Sequence, residues 1–588
     1  MAVYRSIQTI GFVLALALIP NACGGGANTT QPPPPPAIKL TSLVPNYLIA
    51  GAAGSVLYVN GSGFTSSSVI QWNGATLSTT FGTNQILSAT ISTSLIASPG
   101  AVQITVKDGS NTSNSLTFGI ASPAAATAGV VAMITVAPDG SPGNGDSLIA
   151  PSISANGQYV AFQSAATNLV PGPASGYQEI YERDTCIGAA SGCTPSTLRI
   201  TVTTDGSPVN GHSRDSAISA DGRYVVFDSQ ATNLLPNTTV CAGPLGSCVF
   251  LRDTCIGASG CSPNTILVTV ASDGSPAGGA NPSISPDARY VAFNSNSPNM
   301  VTGDTGGVGQ AFVRDTCLGG PQGCTPGNLL ISAPSSGAQD NANTGLPATS
   351  IAGRYFAFQS WATNITANES IVPGDFWRDT CVGNSPCTPS TARADVTNSG
   401  SQPNGNVTND VTPAISVDGR FVAFGSTATN LVSTNVNGEA NVYVRDTCTG
   451  AAGNCSSSTS LVSLRNDGNN GNCQSPSQGL AISANGRFVA FDSTSTNLTP
   501  DDNFQPCGFE DIFVRDTCSG AASGCTPSTV RASVTNTPNP QTPGDSGSGL
   551  PAISADGHYV VFLSAATNLA PGVTGNGHTM VYLAKTGF

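Results

Sequence analysis

The chain repeats one short segment seven times after residue 130, and internal repetition at a fixed period constrains a fold more than any local pattern does. Each copy resembles ISADGRYVVF and carries one central phenylalanine. Successive central phenylalanines are 65, 66, 65, 66, 67 and 71 residues apart. They are Phe162, Phe227, Phe293, Phe358, Phe424, Phe491 and Phe562. A period of this length is typical of one four-stranded sheet with generous loops.

The first copy shows how the unit folds. A short strand begins at Ile153, the pair Asn156-Gly157 supplies a turn, and residues 159–163 are β-formers that predict a second strand. A third strand is predicted to end in the repeated Arg-Asp-Thr-Cys at 183–186, and a fourth spans 198–203. Four antiparallel strands per repeat, arranged radially, predict an all-β fold: a seven-bladed β-propeller over residues 130–588.

The seventh copy lacks its own fourth strand. It ends after a third strand at 580–584, close to the last residue, Phe588. Residues 130–138 (VVAMITVAP) precede the first copy and match fourth-strand segments such as 530–536 (VRASVTN). We therefore expect residues 130–138 to complete the last blade and to close the ring.

The 17 cysteines follow the repeat. Six pairs come directly after a third strand, and two further pairs are predicted to meet on one face of the propeller. The eight predicted disulfides are Cys186–Cys193, Cys255–Cys261, Cys317–Cys324, Cys381–Cys387, Cys448–Cys455, Cys518–Cys525, Cys241–Cys248 and Cys473–Cys507. Zinc is a poor alternative because the pairs lie on separate blades. Disulfides in this number predict an oxidising compartment.

Cys23 is the cysteine left over, and it follows an export-signal pattern. Arg5, an apolar run at 10–19 and Ala22 precede it, so residues 1–22 are predicted to be a signal peptide. A small residue before cysteine resembles the bacterial lipoprotein processing site, which implies lipid attachment at Cys23. The alternative is ordinary cleavage near Ala22. Residues 23–37 are rich in glycine and proline and predict a tether.

The repeated I-S-x-D-G-R-Y-V-x-F-x-S is similar to the WD40-like repeats of TolB-type β-propellers. Residues 38–120 resemble an IPT/TIG domain, an immunoglobulin-like β-sandwich, through Leu43-Val44-Pro45, the segment 59–64 (VNGSGF) and the segment 100–106 (GAVQITV). The resemblance implies a spacer or interaction module, followed by a linker at 121–129. We expect Trp72 to belong to the core of this sandwich.

Charge and motifs exclude several function classes. The net charge is -13 with a pI near 4.5, so nucleic acid is an unexpected partner. Only three histidines occur, and no hydrolase, zinc-protease or phosphate-binding motif is present in the sequence. We predict a binding or scaffolding protein without cofactor or catalytic residues. The alternative is a carbohydrate-active enzyme, a lyase or glycosidase, with its site in the propeller centre.

Features that differ between blades indicate where a ligand is read, whereas the recurring Asp-Gly turns and Arg-Asp pairs are predicted to be structural. The candidate ligand face carries the loops between second and third strands. Its candidate residues are Trp361, Asp501, Asp502 and Phe504. Calcium at Asp501, Asp502 and Asp511 is a weaker hypothesis. We expect a monomeric lipoprotein of the outer membrane or cell surface, with the lipid as its sole membrane contact and a protein or glycan as its ligand.

Overall fold

The computed structural model describes residues 38–588 apart from short gaps. The gaps are 45–46, 50–54, 99, 122–130, 190–192, 237–245, 305, 351–352, 368–372, 384–385, 409–410, 435, 437, 452–453, 501–506, 522–523, 536–541 and 571–576. The predicted signal peptide, the tether and Cys23 lie outside the described residues. Among the described residues, no helix has the length and apolar character needed to cross a membrane.

Residues 38–121 form two packed sheets. Their strands are β1 (Lys39–Val44), β2 (Tyr47–Ile49), β3 (Ser55–Ser62), β4 (Val69–Trp72), β5 (Ala75–Thr76), β6 (Thr79–Thr83), β7 (Ile86–Ile91), β8 (Gly100–Asp108), β9 (Asn111–Thr112) and β10 (Leu116–Ala121), with one 3-10 turn at Thr93–Ile96. One sheet has the order β1-β3-β7-β6 and the other β2-β10-β8-β4-β5, with β9 beside β8. Trp72 packs in the core, 5.0 Å from the ring of Phe118, as predicted.

Seven further sheets of four antiparallel strands follow, one for each repeat. Blade 1 has β12 (Ser152–Ile153), β13 (Tyr159–Ser164), β14 (Glu179–Asp184) and β15 (Ser196–Arg199); blade 2 has β16 (Ser213–Ile218), β17 (Tyr224–Ser229), β18 (Cys248–Asp253) and β19 (Asn264–Leu267). Blade 3 has β20 (Ala280–Ile284), β21 (Tyr290–Ser295), β22 (Gln310–Asp315) and β23 (Gly327–Leu330); blade 4 has β24 (Thr344–Thr349), β25 (Tyr355–Ser360), β26 (Gly374–Asp379) and β27 (Ser390–Arg393). Blade 5 has β28 (Ala414–Ile415), β29 (Phe421–Ser426), β30 (Asn441–Asp446) and β31 (Ser458–Leu461); blade 6 has β32 (Leu480–Ile482), β33 (Phe488–Ser493), β34 (Asp511–Asp516) and β35 (Ser528–Arg531).

Blade 7 is closed by a strand from the other end of the domain. Its own strands are β36 (Ser548–Ile553), β37 (Tyr559–Ser564) and β38 (Met580–Lys585). The fourth is β11 (Val131–Met133), which pairs antiparallel with β38. The predicted closure is therefore confirmed, although the strand is shorter than 130–138. The fourth strand of blade 1 is also shorter than predicted, because the chain turns after Arg199 and Val202 bridges to Pro208.

Backbone hydrogen bonds join the turns between first and second strands around the axis. Ala155 N–H donates to the carbonyl of Ala220, and Ala220 N–H donates to that of Pro286. Pro286 has no N–H with which to continue the series. The series resumes where Val417 N–H donates to Ala484 and Ala484 N–H to Ala555, and Ala555 N–H donates back to the carbonyl of Ala155 at 3.1 Å. This last bond crosses from blade 7 to blade 1, so the propeller is a closed ring rather than an open spiral.

Six of the seven blades have glycine at the left-handed position of this turn, close to the preceding blade, and blade 3 has Ala288 there at φ +62°. Gly222 has φ +78°, and a Cβ atom there would lie 2.1 Å from the ring of Tyr159 in the preceding blade. The same contact at the closure brings Gly157 against Tyr559. The glycine therefore serves both the left-handed turn and the close approach of the next blade.

The repeated Arg-Asp chemistry is structural, and its arginine comes from the turn. In blade 2 the Arg223 guanidinium is bidentate to Asp253, while Asp253 accepts the N–H of Cys255. The same guanidinium lies 4.8 Å from the ring centre of Tyr224. Blades 3 to 6 repeat this arrangement with Arg289–Asp315, Arg354–Asp379, Arg420–Asp446 and Arg487–Asp516.

The six hairpin disulfides and Cys473–Cys507 form as predicted. Cys248 is disulfide-bonded and begins β18, although the sequence placed it in a loop; Cys241 lies outside the described residues. The first cysteine of each hairpin pair has φ near +61°, and blade 7 has Gly587 at that position with φ +82°. Each short loop that a disulfide closes stabilises the fold by roughly 2.5 kcal/mol in the chain-entropy model.

The two faces of the propeller differ. The turn face carries the turns between first and second strands and the disulfide hairpins, and the long-loop face carries the other connections. The sandwich packs on the turn face, where Tyr58 and Ile86 share one buried apolar cluster with Tyr290, Val417 and Ala484. The sandwich is therefore docked on the ring, which differs from the spacer expected from its sequence.

Candidate ligand-binding face

The long-loop face is the side of the propeller opposite the docked sandwich. Because strands alternate in direction, it carries the ends of the second strands and the starts of the first and third strands. It is the face that the sequence predicted to bind a ligand. On the turn face, by contrast, the sandwich covers the turns around the axis, because Tyr58 of the sandwich, only 7% exposed, packs with them.

The predicted site residues have different outcomes. Trp361 lies on this face but is only partly exposed. Its ring lies beside Gly345 of the same blade, and its backbone N–H donates to the Asn343 carbonyl. Asp501, Asp502 and Phe504 lie outside the described residues. The disulfide Cys473–Cys507, whose second cysteine follows them in the sequence, forms as predicted.

Two exposed aromatic residues on this face were missed by the sequence analysis. Tyr177 is 40% exposed and Phe509 is 65% exposed. Both stand two residues before a third strand, at the same position of the repeat. The other described residues at that position are Gly246, Val308, Glu439 and His578. We call the described residues at this position the rim. Aligning the copies on the third strand, rather than on the repeated motif, reveals that this position varies between blades.

The rim residues are held by specific contacts. The ring of Tyr177 meets His212 edge-on at 5.2 Å, and His212 Nδ1 accepts the N–H of Gln178. Phe509 follows Cys507, so the disulfide to Cys473 fixes its loop. These aromatic side chains are thus presented to solvent by constrained backbone, which lowers the entropy cost of binding.

A polar group lies beside Phe509. The Gln478 amide donates to Glu510 at 2.6 Å. The buried Asp492 accepts N–H bonds from Ser477, Gln478 and Gly479 and from Leu550 of the next blade. Burial raises the pKa of Asp492 to about 6, and these four donors oppose that shift. Asp492 therefore positions the start of the first strand rather than contacting a ligand.

Two carboxyl groups in blade 2 lie close together. Asp215 lies in the bulge of β16 at φ +46°, and it is hydrogen-bonded to the buried Asp228. Burial first, and then the charge and hydrogen bond of Asp215, raise the pKa of Asp228 well above its ordinary value. The pair is closer together than the ~5 Å between the two carboxyl groups of a retaining glycosidase.

Blade 4 buries a second acidic pair. Asp375 stands at a position that is apolar in the other six blades, and burial and then Asp395 raise its pKa well above the ordinary range. Burial raises the pKa of Asp395 to about 6, opposed by Arg393, whose Nε lies 2.8 Å from Asp395 Oδ1. Gln359 Nε2 reaches Asp375 Oδ1 at 3.5 Å and the Thr408 carbonyl of blade 5. This cluster joins two blades and is closed to solvent.

Asp511, part of the calcium hypothesis, already has partners. It accepts from Ser533 Oγ at 2.6 Å and lies 3.3 Å from Arg531 Nη1. A guanidinium at this distance disfavours a bound cation. The groups of Asp184, Cys186 and Cys193 and their equivalents are also unsuited to a metal, because their sulfur atoms form disulfides.

Comparisons with known proteins give only distant structural resemblances. No family model and no curated protein matches the chain. Among solved structures, it is similar to TolB from Acinetobacter baumannii, with 12% identity over 74% of this chain and 80% of that one, and a TM-score of 0.29. An auxiliary nutrient binding protein from Bacteroides thetaiotaomicron shares 9% identity over 77% of this chain and 94% of that one, with a TM-score of 0.29. An α-L-arabinofuranosidase from Lactobacillus brevis shares 11% identity over 54% and 91%, with a TM-score of 0.25.

The fold and the disulfides define the class of the protein from its own coordinates. The seven four-stranded sheets, the closing strand and the ring of turn hydrogen bonds make it an all-β propeller. The disulfides of the described residues indicate an exported protein of an oxidising compartment.

Proposed function

We propose that this protein is a cell-envelope lipoprotein that binds a protein or glycan through the rim of its long-loop face. Cys23 carries the lipid, residues 23–37 tether the folded part, and the docked sandwich is IPT/TIG-like. The protein performs no catalysis in this proposal. The observation that carries it is Phe509, an aromatic side chain 65% exposed on a loop that Cys473–Cys507 holds.

Aromatic side chains are enriched at binding interfaces, because they bury a large apolar area at a low entropy cost and tyrosine adds a hydroxyl group. Tyr177 and Phe509 stand at one repeat position but on separate blades, 1 and 6. A broad surface between them suits an extended ligand better than a small molecule. The polar Gln478–Glu510 pair beside Phe509 supplies hydrogen-bonding groups for such a ligand.

A carbohydrate-active enzyme remains the second candidate, and the close carboxyl groups of Asp215 and Asp228 are the feature that favours it. The closeness of the two carboxyl groups counts against it, because glycosidases hold their pair roughly 5 to 10 Å apart. Binding is therefore the function that the geometry supports best.

Glycan and protein arrays probed with the full chain test this proposal. We expect a bound ligand whose affinity falls about tenfold or more in Phe509→Ser and Tyr177→Ser, because each removes an aromatic contact. Phe81→Ser is the matched control, since Phe81 is a 39% exposed aromatic of the sandwich. Trp361→Ala should have a smaller effect. Equal losses in the rim variants and in Phe81→Ser contradict the proposal.

A further inference from the structure

Blade 7 lacks both residues of the Arg-Asp ion pair that blades 2 to 6 contain. His558 stands at the turn position where blades 2 to 6 have arginine, and Lys585 stands where the other six blades have aspartate. His558 turns to Asp556, with Nδ1 2.8 Å from Oδ2. Blade 7 therefore has no ion pair over its aromatic ring, and a lysine stands at the position of the aspartate.

Lys585 is left without a counter-charge. Within the described part of the chain, no carboxylate lies within ion-pair distance of its ammonium group. In blades 2 to 6 a guanidinium lies 4.7 to 4.9 Å from the centre of the aromatic ring, whereas no such contact to Tyr559 occurs among the described residues. Both changes fall at the closure between blades 7 and 1.

A cavity of about 260 Å³ lies at this closure. Its apolar wall comes from both blades and includes Ile134, Leu583 and Ile187, with Tyr559 beside them. Its charged lining residues are Arg183 and Lys585, and no carboxylate lines it. An apolar cavity with two cations and no anion is complementary to a ligand with an apolar body and a negative group.

The Arg183 guanidinium has N–H groups that make no hydrogen bond with the described residues. Its Nη1 donates to Thr197 Oγ1, and the described residues provide no further hydrogen bond to its guanidinium. The equivalent Arg378 and Arg515 also donate to carbonyl groups of the preceding blade. Among the described residues Arg183 makes no such second bond, and neither does Arg252, but Arg183 lines the cavity, so its remaining N–H groups are available to a ligand there.

We propose that this closure cavity binds a small carboxylic acid with an apolar body, with its carboxylate between Arg183 and Lys585. The carboxylate then takes the place that an aspartate side chain fills in the other blades. The volume is just below the ~300 Å³ at which pockets for drug-sized ligands begin, so a ligand of about ten non-hydrogen atoms fits. Octanoate has that size and is the probe.

Calorimetric titration of the full chain with octanoate tests the site. We expect saturable binding, with octylammonium and octanol at least about tenfold weaker because they lack the charge that Arg183 and Lys585 require. Arg183→Met should weaken octanoate binding by about tenfold or more, since a charge-assisted hydrogen bond is lost. Lys585→Asp installs the residue of the other blades and should abolish binding.

Arg252→Met is the matched control. Arg252 holds the same repeat position in blade 2 and makes the same bond, to Thr265 Oγ1, but does not line the cavity. It should bind octanoate as the unchanged chain does. Absence of octanoate binding, equal binding of octylammonium, or equal losses in Arg252→Met and Arg183→Met overturns the proposal. The rim function is independent of this site, because Lys585→Asp leaves Phe509 and Tyr177 in place.

Discussion

Glu182 is the residue at which blade 1 breaks the pattern of its core. It lies in β14 at a position occupied by Leu251 in blade 2 and Leu583 in blade 7, and it is 1% exposed. Neither carboxyl oxygen has a hydrogen-bond partner. Burial first, and then the charges of Asp184 and Asp221, raise its pKa to about 8. A carboxyl group in this setting keeps its proton in the folded protein at neutral pH.

Glu182 therefore makes stability depend on pH. In the unfolded chain it ionises near pH 4.5, whereas in the folded protein it ionises near pH 8. Its contribution is favourable below the unfolded value and is lost as the pH rises from about 4.5 to 8. At pH 9 the loss is roughly 5 kcal/mol. Glu182→Leu should remove this pH-dependent loss. Its unfolding free energy, measured with denaturant, should therefore exceed that of the unchanged chain by much more at pH 9 than at pH 5.

Glu182→Gln is the control for shape. It abolishes ionisation but still buries an unsatisfied polar group, so its pH dependence should match that of Glu182→Leu while its stability stays lower. A wild-type-like loss of stability between pH 5 and pH 9 in both variants contradicts this account of the buried carboxyl.

Variation between blades was a useful guide to the site only where the side chain is exposed. The residue between the central phenylalanine and the following serine also varies, but Gln163, Asn294 and Gln359 each bond a backbone group where a first strand begins. These differences fit individual blade junctions. The sequence shows that a position varies, but it does not show which way the side chain points, so rim and junction residues could not be told apart.

The sandwich and the propeller meet through elements that share no repeat. Tyr58 of β3 is hydrogen-bonded to the partly buried Asp418, which also accepts from Ser416 Oγ and the N–H of Arg420. Burial, and then Asp418, raise the pKa of Tyr58 well above its ordinary value. The sequence predicted the two domains from their own periodicity. Their docking depends on contacts between unlike surfaces, for which neither pattern carries a signal.

Tyr58→Asp should separate the sandwich from the ring. It places a second carboxylate beside Asp418 and among apolar side chains. Burying this charge there costs about 3 kcal/mol or more. Small-angle scattering of the full chain should show a larger radius of gyration than that of the unchanged chain.

Phe81→Asp adds the same charge at an exposed site of β6 and should leave the radius of gyration unchanged. An unchanged radius in Tyr58→Asp contradicts the docking contact.

At the scale of the whole molecule, the propeller is a ring whose two chain ends meet in one sheet. The number of copies and the missing fourth strand were sufficient to predict this from the sequence. Each blade has four strands, so a blade with three of its own takes its fourth from elsewhere in the chain. Six hairpins are covalently stapled, whereas the sheet of blade 7 has no hairpin between β11 and β38. The closure is held only by hydrogen bonds and packing.

Ile134→Pro tests how much the ring depends on that closure. Ile134 is 3% exposed, and its N–H donates to the Val581 carbonyl at 2.8 Å. Proline removes this bond, at a cost of about 3 kcal/mol or more. Ile200→Pro is the matched control, because the N–H of the equally buried Ile200 donates to Ile180 in blade 1, where Cys186–Cys193 ties the strand to its neighbour.

Both prolines remove one bond and one similar side chain, so a purely local effect predicts equal losses of unfolding free energy. A ring predicts otherwise, because β11 has no hairpin to retain it, and its release frees the edge of β38 and loosens the contact of Tyr559 with Gly157. Hydrogen exchange should therefore accelerate in Met580–Lys585 and in the first turn of blade 1 for Ile134→Pro. In Ile200→Pro it should stay confined to Ser196–Arg199 and its partner strand. Equal, local exchange in the two variants would mean that the blades are stable without closure.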